Sequence, residues 1–260
     1  MSAAFLQVRG LSKSFGGNHA VRDISFEVGE GEIVGLIGPN GAGKTTCFNL
    51  ITGFYSPDAG GVRFRDEDVT ALKPYEMARK GIVRSFQKTN ILKGLTVFEN
   101  VLAGQYLAAK QPLWRTFFPG RAVRQAETEA RERAEEIIRT LGLGARLNAP
   151  AALLACGELR LLEVALALAA RPTILMLDEP AAGLNSHEAE RFGAVLRTLP
   201  GRWVRSVLIV EHNMGLVMGV CDRVVVMNFG QKLAEGRPAE MQADPRVIEA
   251  YLGGVARVAA

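Results

Sequence analysis

Apolar and polar residues alternate in short segments along the first third of the chain, and glycine and proline separate these segments. Ile24, Phe26 and Val28 alternate with polar neighbours, which predicts a strand with one buried face. The apolar run at 33–37 predicts a strand that is buried on both faces. A glycine-rich segment follows, and residues 45–52 then predict a helix. Strand, glycine loop and helix in this order are the context in which phosphate-binding loops occur.

The middle of the chain, roughly residues 92–172, has the periodicity of helices instead. Residues 121–140 place Glu and Arg four positions apart, which predicts a helix with a solvated face. Residues 159–170 are mostly apolar and predict a buried helix. A group of helices is therefore expected to interrupt the strands.

The last third returns to apolar and β-branched runs, which predict strands at residues 173–177, 207–210 and 223–227. Helical patterns at residues 186–199 and 213–220 separate these strands. Because strands and helices alternate, we expect a largely parallel sheet. The segment after Gly236 predicts a short helical ending.

Composition adds limits to this picture. The 260 residues are 48% hydrophobic and 22% charged, as in ordinary soluble proteins, and the net charge of +4 comes without the clustered basic residues of a nucleic-acid-binding surface. Cys47, Cys156 and Cys221 lack metal-ligand spacing, which favours a reduced, cytoplasmic protein. The start lacks the apolar run of a signal peptide, and no stretch approaches the roughly 20 apolar residues that span a bilayer.

Residues 38–45 fit the phosphate-loop pattern of a glycine, four residues and then Gly-Lys-Thr. Glycines at these positions let successive backbone N–H groups point at one anion. Lys44 is expected to contact the β- and γ-phosphates, the Thr45 hydroxyl to ligate Mg²⁺, and Thr46 to donate to the α-phosphate. The predicted nucleotide-binding residues of this loop are Gly38, Pro39, Asn40, Gly41, Ala42, Gly43, Lys44, Thr45 and Thr46.

Two adjacent carboxylates end the predicted strand at 173–177. Because strands of an α/β sheet deliver their last residues to the ligand crevice, Asp178 is expected to hold Mg²⁺ and Glu179 to polarise an attacking water. A kinase requires a hydroxyl acceptor rather than an activated water, and the Asn-Lys-x-Asp motif of GTPases does not occur in the sequence. The two motifs together predict a hydrolase that uses ATP and Mg²⁺.

With these residues identified, the chain resembles an ABC ATPase over nearly its whole length. The resemblance implies further roles. Gln87, in Ser-Phe-Gln, matches the glutamine loop that senses Mg²⁺ and the γ-phosphate and contacts the membrane partner. His212 matches the switch histidine near the γ-phosphate, and Phe15 matches the aromatic residue that stacks on adenine. The resemblance therefore implies Glu179, His212 and Gln87 as catalytic residues and Thr45, Gln87 and Asp178 as the Mg²⁺ site.

Several whole segments resemble one of the two ATPase subunits of bacterial branched-chain amino acid importers, namely residues 48–57, 78–87, 95–101, 179–185 and 247–253. The resemblance implies a cytoplasmic protein on the inner membrane that works with a second ABC ATPase subunit and two integral membrane permease subunits. A periplasmic solute-binding protein would act indirectly, and no nucleic-acid partner is expected. A urea or amide importer subunit, a soluble ABC ATPase outside transport, and a regulatory subunit with little catalysis are the alternatives.

The resemblance also implies a fold. We expect an α/β P-loop NTPase (RecA-like) core with an antiparallel β subdomain and an inserted helical subdomain. The core comprises residues 1–91 and 172–235, and its amino-terminal part includes the antiparallel β subdomain. The helical signature subdomain comprises residues 92–171, and a C-terminal helical tail comprises residues 236–260.

The sequence departs from the family at the signature loop, which we define as Ala155, Cys156, Gly157 and Glu158. In the family this loop is usually Ser-Gly-Gly-Gln, and in this branch it is nearer Ser/Ala-Tyr-Gly-Gln; in a dimer it caps the γ-phosphate held by the opposite subunit. Ala155 lacks the hydroxyl donor, whose loss against a charged acceptor costs roughly 1.5–3 kcal/mol, and Glu158 adds a negative charge. We therefore expect a weak site under this loop, and a heterodimer rather than a homodimer with two such sites.

Overall fold

A computed structural model of the chain describes residues 4–85, 91–108 and 121–256. The strands are β1 (Ala4–Phe15), β2 (Asn18–Gly29), β3 (Ile33–Ile37), β4 (Ala59–Phe64), β5 (Glu67–Asp68), β6 (Ile82–Arg84), β7 (Ile174–Asp178), β8 (Ser206–Val210), β9 (Arg223–Asn228) and β10 (Gln231–Gly236). The helices are α1 (Lys44–Ile51), α2 (Pro74–Lys80), α3 (Val97–Ala108), α4 (Arg121–Thr140), α5 (Cys156–Ala169), α6 (Ser186–Arg197), α7 (Met214–Val220), α8 (Pro238–Ala243) and α9 (Pro245–Ala256). Short 3-10 turns lie at Gly144–Arg146 and Ala151–Leu153.

The strands form two sheets. One is antiparallel, with strand order β2-β1-β4-β5. The other has the order β10-β9-β3-β8-β7-β6, in which β10 pairs antiparallel with β9 and the remaining neighbours are parallel. All residues of β3, β7 and β8 are buried, as expected of parallel strands covered on both faces. The predicted α/β core with an added antiparallel sheet is therefore present.

Alternate residues of the parallel strands enter two separate apolar clusters. Ile33 and Ile37 pack into one cluster together with residues of α4, α5, α6 and α7, which we call the helical-side cluster. Val34 and Leu36 pack into the other together with α1 and the antiparallel sheet, which we call the β-side cluster. Within the helical-side cluster, α3 packs against both α4 and α5. The six-stranded sheet thus divides the apolar interior in two.

The element boundaries follow the sequence pattern most closely where the pattern is strongest. The charged helix predicted at 121–140 coincides with α4, and the strand predicted at 33–37 coincides with β3. The buried helix predicted at 159–170 begins earlier, at Cys156, because the Glu158 carboxylate accepts a hydrogen bond from the Ala155 N–H and fixes the first turn. The hairpin strand β10 was not predicted, since its residues are mostly polar and only Ala234 is buried.

None of the helices within the described ranges combines the length and apolar character that crossing a bilayer demands.

Candidate active site

The phosphate loop follows β3 and leads into α1. Gly41 and Gly43 have φ values of 81° and 94°, in the region that favours glycine. A Cβ atom on Gly43 would collide with the carbonyl oxygen of Ala20, and one on Gly38 would collide with that of Met227. The backbone here is therefore packed so closely that side chains are excluded.

The first turn of α1 is open to an anion. Gly43 is its N-cap and offers no side-chain hydrogen bond to the first N–H groups of the helix. Lys44 is buried, and its Nζ donates to the carbonyl oxygens of Gly38 at 2.7 Å and Pro39 at 3.0 Å. Burial lowers the pKa of Lys44, whereas the nearby negative charge of Glu179 opposes that shift. Lys44 is the only cationic side chain of the loop, whose residues 38–46 are all described, and it is held against the backbone of the loop itself.

The loop forms one wall of a cavity of about 510 Å³. The lining brings the phosphate loop together with Glu179 and with a hairpin turn after β9, and its residues are Asn18, His19, Ala20, Arg22, Asn40, Gly41, Ala42, Gly43, Lys44, Thr45, Thr46, Glu179, Phe229 and Gly230. Such a volume is of the size that small-molecule sites occupy. The arrangement can accept a polyphosphate with a carboxylate beside it.

Asp178 ends β7 on the face of the sheet that carries α1. Its side chain is fully buried, and Oδ2 accepts a hydrogen bond from the Arg84 guanidinium at 2.6 Å. Arg84 also donates to Asn49 Oδ1 at 2.6 Å and lies over the rings of Phe48 and Phe54. Burial raises the pKa of Asp178 above its ordinary value, and the charge of Arg84 opposes that rise.

The second oxygen of Asp178 provides a test of the Mg²⁺ prediction. Asp178 Oδ1 is buried and has no hydrogen-bond partner among the described residues, which is a costly state for a carboxylate oxygen. A hard cation that prefers oxygen ligands satisfies such an atom, and the exposed Thr45 hydroxyl in the cavity wall offers another oxygen. Both residues fit Mg²⁺. Gln87, the third residue predicted for this site, lies outside the described residues.

Glu179 and His212 follow adjacent parallel strands, β7 and β8, and therefore reach the same edge of the sheet. His212 Nδ1 lies 3.8 Å from Glu179 Oε1, and both side chains are partly exposed. The Glu179 N–H donates to the Val210 carbonyl oxygen at 2.8 Å. Glu179 has a φ of 47°, which is unusual for a residue with a side chain and marks local backbone strain.

Two buried charged residues of this region were missed by sequence reasoning. Glu211 is fully buried directly between β8 and His212, and Arg84 ends β6. In each case the sequence signal is a charged residue at the end of an apolar strand or directly after it. Such a residue is delivered to the ligand edge of the sheet. Both residues lie in segments used for the sequence prediction, but no role was predicted for either.

Phe15 is exposed at the end of β1 and is not among the described residues that line the cavity. Its ring packs edge-on against Tyr55 with 5.4 Å between the ring centroids. The predicted contact of this exposed ring with adenine therefore stays a prediction.

The signature loop lies apart from the cavity, whose described lining contains none of its four residues. Ala155 is the N-cap of α5 and supplies no side-chain cap, and Cys156 is exposed. Glu158 accepts hydrogen bonds from Arg146 Nε at 2.8 Å and from the Ala155 N–H at 3.0 Å. The hydrogen bond from Arg146 lowers the pKa of Glu158, with a smaller opposing effect of burial. The carboxylate is therefore ionised and partly neutralised within its own subunit.

Comparison with known proteins adds sequence and structural relatives. The family model described as ABC transporter matches residues 21–182, and a model described as branched-chain amino acid ATP-binding cassette transporter matches residues 231–257. The chain is 44% identical over 253 residues to the high-affinity branched-chain amino acid transport ATP-binding protein LivG of Salmonella typhimurium, covering 97% of this chain and 99% of that protein. It is 43% identical over 253 residues to BraF, the protein of the same description in Pseudomonas aeruginosa, with the same coverage. Among solved structures, the ADP conformation of an ATP-binding cassette of an ABC transporter matches with a TM-score of 0.84 and 34% identity, over 97% of this chain and 100% of that one.

Proposed function

The chain belongs to the ABC transporter family as one of its ATP-binding, ATP-hydrolysing cassettes, and we propose that it energises an importer of branched-chain amino acids. The observation that carries the catalytic part of this proposal is the position of Glu179, which lies in the wall of the cavity made by the phosphate loop and 3.8 Å from His212. That geometry supports a role for the Glu179 carboxylate beside a water that attacks the γ-phosphate of a bound nucleotide.

The proposed chemistry uses residues of the phosphate loop for binding. Lys44 exchanges its hydrogen bonds to Gly38 and Pro39 for bonds to phosphate oxygens, and the open N–H groups of α1 contribute to the same anion site. Asp178 and the Thr45 hydroxyl would hold Mg²⁺, which would neutralise part of the phosphate charge. Phe15 packs against the base from outside the loop.

Catalysis is assigned to the edge formed by β7 and β8. Glu179 accepts a hydrogen bond from the attacking water and orients it, and His212 contacts the γ-phosphate from the neighbouring strand. Gln87, which lies outside the described residues, is proposed as a sensor of the metal and of the membrane partner.

The solute assignment is supported by the likeness to two branched-chain amino acid transport proteins over nearly the whole chain, and by the family match at its C-terminal end. We propose a second ABC ATPase subunit and two membrane permeases as direct partners, on the cytoplasmic face of the membrane, with a solute-binding protein acting through the permeases. The signature loop of the partner cassette then closes over Lys44, and the loop at 155–158 closes over the partner.

The catalytic proposal is tested with Glu179→Gln in the complete chain. We expect ATP turnover to fall by about 10²–10⁴-fold while nucleotide binding is retained, because the variant removes the water-orienting carboxylate and leaves the phosphate loop unchanged. The exposed Glu132 on α4, far along the sequence from both motifs, supplies the control Glu132→Gln, which should leave turnover unchanged. Turnover of Glu179→Gln close to that of the control contradicts the proposal.

The transport proposal is tested in cells that lack this chain. Loss of uptake of labelled leucine, with uptake of labelled urea intact, supports a branched-chain amino acid importer. The reverse pattern supports an amide importer. If the tagged chain copurifies with no integral membrane protein and neither uptake changes, the chain acts outside transport.

A further inference from the structure

One buried carboxylate beside the site has no role in the chemistry described so far. Glu211 is fully buried, and the only Lys, Arg or His side-chain nitrogen within 4.0 Å of its carboxylate, among the described residues, is His212 Nδ1. We propose that Glu211 is a positioning residue that joins two loops into one rigid unit. This unit fixes the positions of Glu179 and His212 relative to each other. The inference rests on the proposed function of those two residues.

The two loops meet at the Glu211 carboxylate. We define the glutamate loop as residues 179–181 and the histidine loop as residues 211–213. Glu211 Oε1 accepts a hydrogen bond from the Ala181 N–H at 2.8 Å, in the glutamate loop. Glu211 Oε2 accepts from the N–H groups of His212 at 2.8 Å and Asn213 at 2.9 Å, in the histidine loop. A single side chain therefore binds the backbone of both loops.

The charge of Glu211 makes this connection strong. A buried carboxylate is costly unless hydrogen bonds compensate for the lost water, and bonds to an ionised acceptor are stronger than neutral ones. Here the three N–H groups supply that compensation. If either loop moves away, the carboxylate loses hydrogen-bond donors while it stays buried. Movement of each of the two loops is therefore costly.

The strained backbone of Glu179 explains why this connection between the two loops is needed. A residue with φ of 47° keeps that conformation only where its surroundings fix it. The Glu179 N–H donates to the Val210 carbonyl oxygen. The Ala181 N–H donates to the side chain of Glu211, the residue that follows Val210. Two successive residues at the end of β8 thus hold the chain on both sides of Glu179, and the same strand end carries His212.

The test compares Glu211→Gln with a carboxylate that makes a similar bond at the opposite edge of the sheet. Asp222 precedes β9 and accepts a hydrogen bond from the Ile33 N–H at 2.9 Å, so Asp222→Asn is the matched control. An amide at position 211 presents an N–H donor to one loop and can accept only from the other. Glu211→Asp keeps the charge but is shorter, and it serves as a second variant should the amide prevent folding.

We expect kcat for ATP hydrolysis to fall by roughly 10- to 100-fold in Glu211→Gln, since a charge-assisted bond to one loop is lost, with KM for ATP close to that of the unaltered chain. Amide hydrogen exchange should become faster at Ala181 or at His212 and Asn213, and in Asp222→Asn only near Ile33. In a background that carries both Glu179→Gln and His212→Ala, Glu211→Gln should have little further effect on kcat, because a positioning residue acts through the groups that it positions.

An unchanged kcat in Glu211→Gln, an equal loss in Asp222→Asn, or full additivity with the combined Glu179→Gln and His212→Ala change overturns the proposal. The exchange experiment does not depend on turnover. If Glu179→Gln leaves turnover intact, the proposed function fails, whereas the exchange rates still decide whether Glu211 joins the two loops.

Discussion

Replacement of Arg84 by methionine isolates the energetic cost of the buried ion pair at the proposed Mg²⁺ site. The Arg84 guanidinium donates to Asp178 Oδ2 at 2.6 Å, and the side chains of the two residues are 11% and 0% exposed. Methionine retains apolar contact with Phe48 and Phe54, which the guanidinium covers, so the main change is the loss of the charge. The variant leaves both oxygens of Asp178 without a hydrogen-bond partner from the described residues.

The expected loss of stability is large for one substitution. Removal of one partner from a buried ion pair costs about 3–5 kcal/mol, because the remaining charge stays buried and uncompensated. For a chain of this size that loss lowers Tm by about 6–20 °C. Urea unfolding at neutral pH, followed by circular dichroism, gives the free energy of unfolding directly.

The matched control is Arg131→Met on the solvated face of α4. Arg131 pairs with Glu127 at 3.2 Å, with both side chains about half exposed, and such surface pairs contribute about 0.2–1 kcal/mol. If Arg84→Met costs no more than Arg131→Met, the buried pair does not stabilise the site and the reasoning is wrong.

The pH dependence supplies a second check on the same variant. The raised pKa of Asp178 means that the folded protein binds this proton more tightly than the unfolded chain does. Acidification therefore favours the folded state over the interval between the ordinary pKa near 3.8 and the raised one. Without Arg84 the pKa rises further, so the stability deficit of the variant should shrink as the pH falls from neutrality towards 3.8. A deficit that stays constant over that range contradicts the assignment.

Three further predictions concern the loops and the thiols. Gly43→Ala should abolish binding of a fluorescent ATP analogue, since its Cβ would collide with a backbone carbonyl and its φ of 94° is strained for alanine; retained binding would contradict the close packing. In the native protein a thiol reagent should modify Cys156 alone, because Cys156 is exposed while burial raises the pKa of Cys47 and of Cys221 to about 12; three reactive thiols before unfolding would refute this. Ala155→Ser should raise ATP turnover of the assembled transporter by about 10-fold or more if the missing hydroxyl limits the partner's site, and unchanged turnover would show that it does not.

The sequence allowed prediction of those parts of the site that depend on local structure. Residues 38–46 are contiguous, and their glycines and Lys44 have the predicted surroundings because a strand and a helix flank them. Asp178 and Glu179 were placed correctly at the end of a strand, since a run of apolar residues that ends in two acids is typical of a buried strand reaching the ligand edge of its sheet. Local pattern and local geometry agree in both segments.

The contacts between distant segments were beyond such prediction. Arg84 meets Asp178 because β6 pairs with β7, although 94 positions separate the two residues. The fate of the Glu158 charge depends on Arg146, which approaches from a turn that has no periodic pattern. Pairing between strands and the approach of turns are decided by tertiary packing, and a single sequence contains no direct record of either.

The division of the interior by the six-stranded sheet has a consequence for how the protein can evolve. The helix that follows the phosphate loop is anchored in the β-side cluster, while α5, which carries the signature loop, is anchored in the helical-side cluster. Substitutions inside the β-side cluster can therefore change how the chain binds a nucleotide. Substitutions inside the helical-side cluster can change how the signature loop contacts a neighbouring cassette, with little interference through packing. Substitutions can thus accumulate in the signature loop of one subunit of a pair while the nucleotide pocket of that same subunit stays under full selection.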